Sequence, residues 1–215
     1  MKIGFAAVAE QKTDQGKSLV GKLNIRRLIM IGYAMCGSFC THGESMEAMK
    51  ELLLAGLEIQ PIMSDAVYKT DTRFHLAEEF RLEVERLTGK QVIHTVAEAE
   101  PLGPATPLEA LVIAPCTGNT LAKMASGITD TAVTMAAKAH LRCDRPLLIA
   151  LATNDAMSQN LGNIGKLLNR KSVYFLPMKQ DSPKNKPHSL VADFSRLYEA
   201  YEAMKRGEQI RPLFL

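Results

Sequence analysis

The sequence lacks the features that mark membrane proteins, disulfide-rich secreted proteins and zinc proteins. No apolar run approaches the roughly 20 residues needed to cross a bilayer, and the N-terminal run MKIGFAAVA is too short in its apolar part for a signal peptide. We therefore expect a cytoplasmic protein with no membrane span. Four cysteines do not make a disulfide framework in a chain of 215 residues. Cys36 and Cys40 are spaced C-x3-C rather than C-x2-C, so we also expect no metal site.

Net positive charge is confined to the N-terminus. The formal net charge is +3, but residues 1–27 carry six Lys or Arg against Glu10 and Asp14, which leaves the rest of the chain close to neutral. There is no aromatic-studded basic stripe, so we expect no nucleic-acid partner. We assign residues 1–27 to an N-terminal extension of unknown role, either a solvated tail or a contact for an acidic partner.

From residue 28 onward, short apolar runs alternate with amphipathic stretches, and the length and the 47% hydrophobic content fit one globular domain over 28–215. Strands alternating with helices indicate parallel βαβ crossovers and a three-layer, doubly wound sheet. The predicted strands are 28–35, 58–64, 91–96, 110–115, 146–153 and 172–178, and the predicted helices include 44–56, 74–89, 156–169 and 189–207. The proline-rich stretch 99–110 fits neither a regular helix nor a central strand.

Ligands of such sheets bind beyond the carboxyl ends of the strands, where the strand order reverses. The loop after the first strand contains Gly37, Ser38 and Thr41, which can offer N–H groups and hydroxyls to an anion at a helix N-terminus. The loop is neither G-x-G-x-x-G nor a Walker P-loop. Ser38 and Thr41 could equally be simple helix N-caps. Ser64, after the second strand, could add a hydroxyl to the same anion.

The loop after the strand at 110–115 is more specific. Thr117, Asn119 and Thr120 place three hydrogen-bonding side chains on one turn, around Gly118. A helix cap needs only one of them, whereas a ring system with carbonyl and N–H groups and a polyhydroxyl chain would use all three.

At these residues the sequence resembles the flavoprotein family of homo-oligomeric flavin-containing cysteine decarboxylases, phosphopantothenoylcysteine decarboxylases and flavin prenyltransferases. The segment APCTGNTLAKMASGITD (114–130) matches the family signature A-P-x-[TS]-x-N-T-x-x-K-x-A-x-G-x-x-D. The resemblance implies a flavodoxin-like or Rossmann-like domain that binds FMN. Gly37 and Ser38, with Ser64 nearby, would bind the phosphate, and Thr117, Asn119 and Thr120 would hold the ribityl chain and the ring.

A more specific resemblance is to the dipicolinate synthase B subunits, over about residues 28–212. It includes GSFCT (37–41), TDTRF (70–74), AEPLGP (99–104) and KPHSLVA (186–192). It implies a component of an oxidoreductase that converts dihydrodipicolinate to dipicolinate during sporulation, in the mother cell. It also implies a partner, the nicotinamide-binding A subunit of dipicolinate synthase, through which alone NAD(P) would enter the reaction, and a homo-oligomer.

Two departures from the decarboxylases bear on the chemistry. Their catalytic His stands about a dozen residues before the A-P of the signature, where this chain has Glu100-Pro101-Leu102-Gly103; His94 is too early and fits an ordinary hydrogen-bonded residue of a strand. In the segment 151–157 the Asn154 and Met157 of their substrate loop remain, so these two residues could bind a substrate carboxylate. We assign no catalytic residue.

Other residues near the expected site have simpler explanations. Cys36, Cys40 and Cys116 fit small apolar filler better than nucleophiles. Asp65, Asp130 and Asp155 fit caps or rim charges, whereas Lys179 and Lys186 could supply donors to a dianionic substrate. Two alternative functions stay open: a stand-alone FMN-dependent decarboxylase or prenyltransferase, and a non-catalytic flavin-fold partner protein.

Overall fold

Strands and helices alternate along residues 29–103 and 105–215, which are the residues that the computed structural model describes. The proposed extension at 1–27 lies outside them. The strands are β1 Met30–Met35, β2 Glu58–Met63, β3 Leu111–Cys116, β4 Leu147–Thr153, β5 Val173–Phe175, β6 Met178–Lys179 and β7 Leu190–Ala192. The helices are α1 His42–Leu54, α2 Asp65–Lys69, α3 Ala77–Thr88, α4 Val96–Ala99, α5 Gly118–Ser126, α6 Ala132–Leu141, α7 Leu161–Leu168 and α8 Leu197–Lys205.

The sheet has a parallel body in the order β2-β1-β3-β4, with β5 pairing in parallel along the first half of β4. This is the flavodoxin-like, doubly wound order, so the predicted fold class is confirmed. The chain leaves β1 toward β2 on one side and later returns to β3 on the other. The loops after β1 and β3 therefore meet at the reversal point of the strand order.

Strict alternation along the strands divides the core between the two faces of the sheet. In β3, Val112 and Ala114 belong to the apolar cluster that packs under α1, α3 and α8. Leu111 and Ile113 belong to the cluster under α5, α6 and α7. All four residues are fully buried. Because side chains alternate between faces with period two, a strand covered on both sides must be apolar throughout, which explains the continuous run LVIA.

The sheet differs from an all-parallel one at its far edge. β7 pairs antiparallel with the second half of β4, through Ala152↔Val191 and Thr153↔Leu190, and β6 pairs antiparallel with β7. The predicted strand 172–178 is accordingly two strands, β5 and β6, separated by two residues.

Two further sequence-based assignments were wrong. The predicted helix 189–207 begins as β7, passes through a 3-10 turn at Phe194–Arg196 and is α-helical only in α8. The reason is that the backbone of Leu190 and Val191 pairs with β4 instead of forming helical hydrogen bonds. The predicted strand 91–96 forms only one bridge, Ile62↔Ile93, because a capping box between Thr95 and Glu98 starts α4 at Val96.

Among the described residues, no helix is long and apolar enough to cross a bilayer. The same part of the chain holds no group of three or more His, Cys, Asp or Glu side chains arranged as metal ligands.

Candidate functional site

A cavity of about 560 Å³ lies at the carboxyl ends of β1, β3 and β4, where the strand order reverses. Its volume is in the range of small-molecule and cofactor sites. It is bounded by the loops after these three strands, the turn before α3, the segment around β7 and the start of α5. The lining residues are Gly37, Ser38, Phe39, Cys40, Thr41, Arg73, Phe74, Thr117, Gly118, Asn119, Ala152, Thr153, Asn154, Asp181, Lys186 and Val191.

The loop after β1 is fixed to the end of β4. The Ser38 hydroxyl donates to the Ala152 carbonyl at 2.6 Å, and the Thr41 hydroxyl donates to the Ser38 carbonyl at 2.8 Å. Ser38 and Thr41 occupy the N-cap positions of the 3-10 turn Phe39–Thr41 and of α1, but neither hydroxyl accepts a capping hydrogen bond. Helix capping therefore does not explain these two side chains, and Gly37 and Ser38 both line the cavity.

The three polar side chains after β3 have different surroundings. Thr117 caps α5, accepting from the Thr120 N–H at 3.2 Å, and its hydroxyl also donates to the Thr120 hydroxyl at 3.1 Å. The Thr120 hydroxyl donates in turn to the Cys36 sulfur, and Thr120 is buried outside the cavity lining. Asn119 is exposed, lines the cavity and forms no side-chain hydrogen bond with the described residues. Asn119 is therefore the side chain of this loop that remains available to a ligand.

Gly118 is required by the close packing between α5 and the loop after β4. A Cβ atom at this position would lie 2.6 Å from Asn160 Nδ2, 2.6 Å from Thr153 Oγ1 and 2.7 Å from Asp155 Oδ1. The Thr153 hydroxyl donates to Asp155 at 2.6 Å. Because Thr153 and Asp155 hold each other in place, a larger residue at 118 would displace the rim of the cavity.

The other predicted ligand residues are divided between the cavity and its supports. Asn154 lines the cavity, whereas Met157 does not; the Met157 N–H donates to the His188 carbonyl and so joins the loop after β4 to the segment before β7. Ser64 also lies outside the lining. Its N–H donates to the Met35 carbonyl at 3.0 Å, and its buried hydroxyl has no hydrogen-bond partner among the described residues.

The cations at the cavity are Arg73 and Lys186 within the described part of the chain. Lys186 forms an ion pair with Asp181 at 2.7 Å, and this contact lowers the pKa of Asp181 and raises that of Lys186. Lys179, the other expected donor, is outside the lining. Sequence reasoning gave Arg73 no role, although it lies in TDTRF, one of the segments that carried the resemblance.

The two buried cysteines next to the cavity loops, Cys36 and Cys116, are not activated nucleophiles. Burial raises the pKa of the Cys36 thiol to about 11, and burial also raises the pKa of Cys116. Both thiols therefore stay protonated at neutral pH and act as small apolar side chains in the core. Cys40 is different: it is exposed and lines the cavity, so the assignment of Cys40 to the filler was wrong.

The segment that replaces the catalytic His of the decarboxylases lies away from the cavity. Glu100 is on the surface, 3.4 Å from Arg142. Leu102 is buried, and Gly103 packs against the backbone of Ala139 in α6. His94 is not in a strand but stacks on Tyr68, with ring centroids 3.7 Å apart. None of these residues lines the cavity.

Two of the three aspartates expected as caps or rim charges are paired with lysines. Asp65 forms an ion pair with Lys69 at 3.1 Å, and Asp130 with Lys123 at 2.9 Å. The Lys123 contact lowers the pKa of Asp130.

A pair of histidines behind the loop after β1 was missed by sequence reasoning. His42 Nε2 donates to the Cys36 carbonyl at 2.8 Å, and His42 Nδ1 lies 2.8 Å from His75 Nε2. Burial lowers the pKa of His42 to about 4, so the ring is neutral at pH 7. Nδ1 is then an acceptor, and His75 donates to it from Nε2. No motif in the sequence brings residues 42 and 75 together.

We expect the burial of two histidines, His42 and His140, to make the fold less stable in mild acid. Burial lowers the pKa values of both His42 and His140 to about 4, below the 6.5 of an unfolded histidine. The unfolded state therefore binds more protons as the pH falls from about 6.5 toward 4, and stability falls in that window. The loss at pH 5 should be about 2 kcal/mol per histidine. Urea unfolding at pH 7.5 and pH 5 measures it.

The matched variant for this measurement is His140→Asn, which should lose about half of the pH dependence. Carboxylates with lowered pKa values titrate below this window, so they do not mask it. An unfolding free energy that stays constant between pH 7.5 and pH 5 would contradict the expectation.

Comparison with known proteins identifies the family of this fold and cavity. The model of the family described as Flavoprotein matches residues 22–195. This chain belongs to the Flavoprotein family. The B subunit of dipicolinate synthase from Bacillus subtilis (strain 168) is 39% identical over 185 residues, which are 86% of this chain and 92% of that protein. The resemblance inferred from the sequence motifs is thus confirmed.

Solved structures of Flavoprotein-like proteins agree with this assignment. The crystal structure of the dipicolinate synthase B subunit from Bacillus halodurans C has a TM-score of 0.80 and 39% identity, covering 87% of this chain and 96% of that one. The FMN-dependent cysteine decarboxylase SpaF has a TM-score of 0.61 and 21% identity, over 83% and 97% of the two chains. At that identity the likeness to SpaF shows the fold alone.

Proposed function

We propose that this chain is the flavin-fold B subunit of a dipicolinate synthase. Together with a nicotinamide-binding A subunit, it would oxidise dihydrodipicolinate to dipicolinate, pyridine-2,6-dicarboxylate. The observation that carries the proposal is the 39% identity to a dipicolinate synthase B subunit over most of both chains, combined with a cavity at the reversal point of the sheet. Copies of this chain would also assemble with one another.

The residues at the cavity fit FMN. Asn119 lines the cavity, and its side-chain amide has no hydrogen-bond partner among the described residues. The Ser64 hydroxyl lies outside the lining and is a buried polar atom that also lacks a partner in this part of the chain. Leaving such a group unpaired costs about 1–3 kcal/mol, which a ligand or a small loop movement would recover. Gly37 and Ser38 would bind the phosphate, with Ser64 nearby, and Ser38 would do so through its backbone N–H, because its hydroxyl already donates to the Ala152 carbonyl. Thr117, Asn119 and Thr120 would hold the ribityl chain and the ring. Thr117 and Thr120 bond to each other, so they contribute mainly by shaping the loop that presents Asn119.

Bound FMN would supply a two-electron acceptor suited to a dihydropyridine, which loses two electrons and two protons as its ring becomes aromatic. The chain's own residues would orient the substrate. Asn154 lines the cavity and could donate to a carboxylate, while Met157 supports the same loop from outside the lining. The sequence has no G-x-G-x-x-G turn, so NAD(P) would bind to the partner protein.

We expect the purified chain to bind FMN and the Asn119→Ala variant to bind it about ten- to hundredfold more weakly. The reason is that hydrogen bonds left unmade to a buried ring cost about 1–3 kcal/mol. Titration followed by flavin fluorescence measures both affinities.

Asn169→Ala is the matched control, since Asn169 is exposed at the end of α7 and lies outside the cavity. Equal weakening by the two variants would argue against a role for Asn119 in the site. Absence of binding by the unmutated chain at high micromolar FMN would favour a non-catalytic flavin-fold partner.

A further inference from the structure

One cation at the cavity is not balanced by a carboxylate of the described residues. Lys186 is neutralised by Asp181 at 2.7 Å. Arg73 lines the same cavity but forms no salt bridge with the described residues. Its guanidinium lies over the Phe74 ring, 4.9 Å from the centroid, and Phe74 itself lines the cavity at 49% exposure. The cavity therefore presents one unpaired guanidinium beside an aromatic face.

The turn that carries Arg73 is fixed at both ends. The Asp71 carboxylate accepts from the Ala77 N–H at 2.9 Å, at the start of α3. The Thr72 N–H donates to the His75 carbonyl at 3.0 Å. Because both bonds span Arg73, its backbone has a defined position above the cavity.

The same turn is joined to the loop after β1 through the two histidine rings. His75 stacks on Phe80, with centroids 4.2 Å apart, and donates to His42, which donates to the Cys36 carbonyl. Cys36 directly precedes Gly37, the first cavity residue of that loop. The position of Arg73 is thus coupled, through the half-buried His75 and the buried His42, to the loop assigned to the cofactor phosphate.

We propose that Arg73 is the oxyanion-binding residue of this cavity. A guanidinium presents parallel N–H donors that match the two oxygens of a carboxylate or a phosphate. It is also planar and always positively charged, so it can pair with a flat anionic ligand. Two oxyanions could use it: a carboxylate of the dianionic substrate or the phosphate of FMN. This inference rests on the proposed function and adds the residue that would recognise the charge of the ligand.

The experiment titrates the full chain with three probes, namely dipicolinate, FMN and riboflavin, by calorimetry. Arg73→Gln should weaken the binding of one oxyanion about ten- to hundredfold, because charge-assisted hydrogen bonds are lost. Weaker dipicolinate binding with unchanged FMN affinity assigns Arg73 to the carboxylate. Weaker FMN binding with unchanged riboflavin affinity assigns it to the phosphate. Arg73→Lys should restore part of the lost affinity, since it keeps the charge but not the planar fork.

Arg86→Gln is the matched control, because Arg86 is exposed on α3 and outside the cavity, and its affinities should equal those of the unmutated chain. Unchanged affinity of Arg73→Gln for both dipicolinate and FMN would overturn the inference while leaving the proposed function intact. Equal weakening of FMN and riboflavin would also overturn it, since riboflavin has no phosphate. An unmutated chain that binds none of the three probes would instead overturn the proposed function, and this inference with it.

Discussion

We expect this chain to support dipicolinate formation when it is mixed with a nicotinamide-binding dipicolinate synthase partner, dihydrodipicolinate and nicotinamide cofactor. The chain alone should form dipicolinate at least about a hundredfold more slowly. The physical reason is a missing proton acceptor, since proton transfer by a positioned group is typically worth about 10²–10⁴ in rate. Among the described residues, Asp181 is the carboxylate that lines the cavity, and its pairing with Lys186 lowers its pKa.

The charge of the substrate leads to the same expectation. A dicarboxylate needs several donors, and the described lining offers Arg73, Asn119, Asn154 and the already paired Lys186. A partner that closes the open side of the cavity would supply further donors as well as the nicotinamide. Ligand sites at such shared interfaces are common.

Dipicolinate absorbance follows the reaction. The informative comparison sets the mixture beside each of the two proteins alone at equal concentration. Equal rates with and without this chain would end the proposal, and so would full activity from this chain by itself. A chain carrying Asn119→Ala, tested in the mixture, would separate a role of the cavity from a purely structural role of the chain.

The second large effect is an absence of activity: the chain should not decarboxylate phosphopantothenoylcysteine at an enzymatic rate. The decarboxylases place an imidazole a dozen residues before the A-P of the signature, where this chain has Glu100-Pro101-Leu102-Gly103. Glu100 is paired with Arg142 on the surface, and Gly103 packs on α6. Without the positioned group, the rate should be about 10²–10⁴-fold lower.

Mass spectrometry for loss of carbon dioxide measures this, with a phosphopantothenoylcysteine decarboxylase of the same family as the positive control. Conversion by this chain at a rate comparable to that control would refute the expectation. It would also reopen the alternative of a stand-alone decarboxylase, because another residue would then have to replace the imidazole.

The sequence was sufficient for the parallel body of the fold. Short continuous apolar runs such as 110–115 are typical of strands buried on both faces, and Gly89, at φ +67° after α3, ends its helix as predicted. It was insufficient at the far edge of the sheet. The segment 189–192 has a helix-compatible pattern of apolar residues, and only its pairing with β4 makes it a strand. Local periodicity does not report a partner that lies about 40 residues away in the chain.

The candidate site divides in the same way. The signature 114–130 and the Gly37–Ser38 loop were enough to locate the cavity, since the carboxyl ends of neighbouring parallel strands must meet at one edge of the sheet. The tertiary structure decided which side chains of these loops have no hydrogen-bond partner among the described residues. Thr120 is committed to Thr117 and Cys36, whereas Asn119 is not, and residue type cannot distinguish them.

The sequence by itself therefore determined the family, the doubly wound sheet and the edge of the sheet at which the cavity lies, because these depend on local motifs and on the period of the apolar residues. The tertiary structure alone decided the antiparallel edge, the contact between His42 and His75 and the entry of Arg73 into the cavity. Each of these brings together segments that are distant in the chain. Their hydrogen bonds and charges therefore have neighbours that only the folded sheet defines.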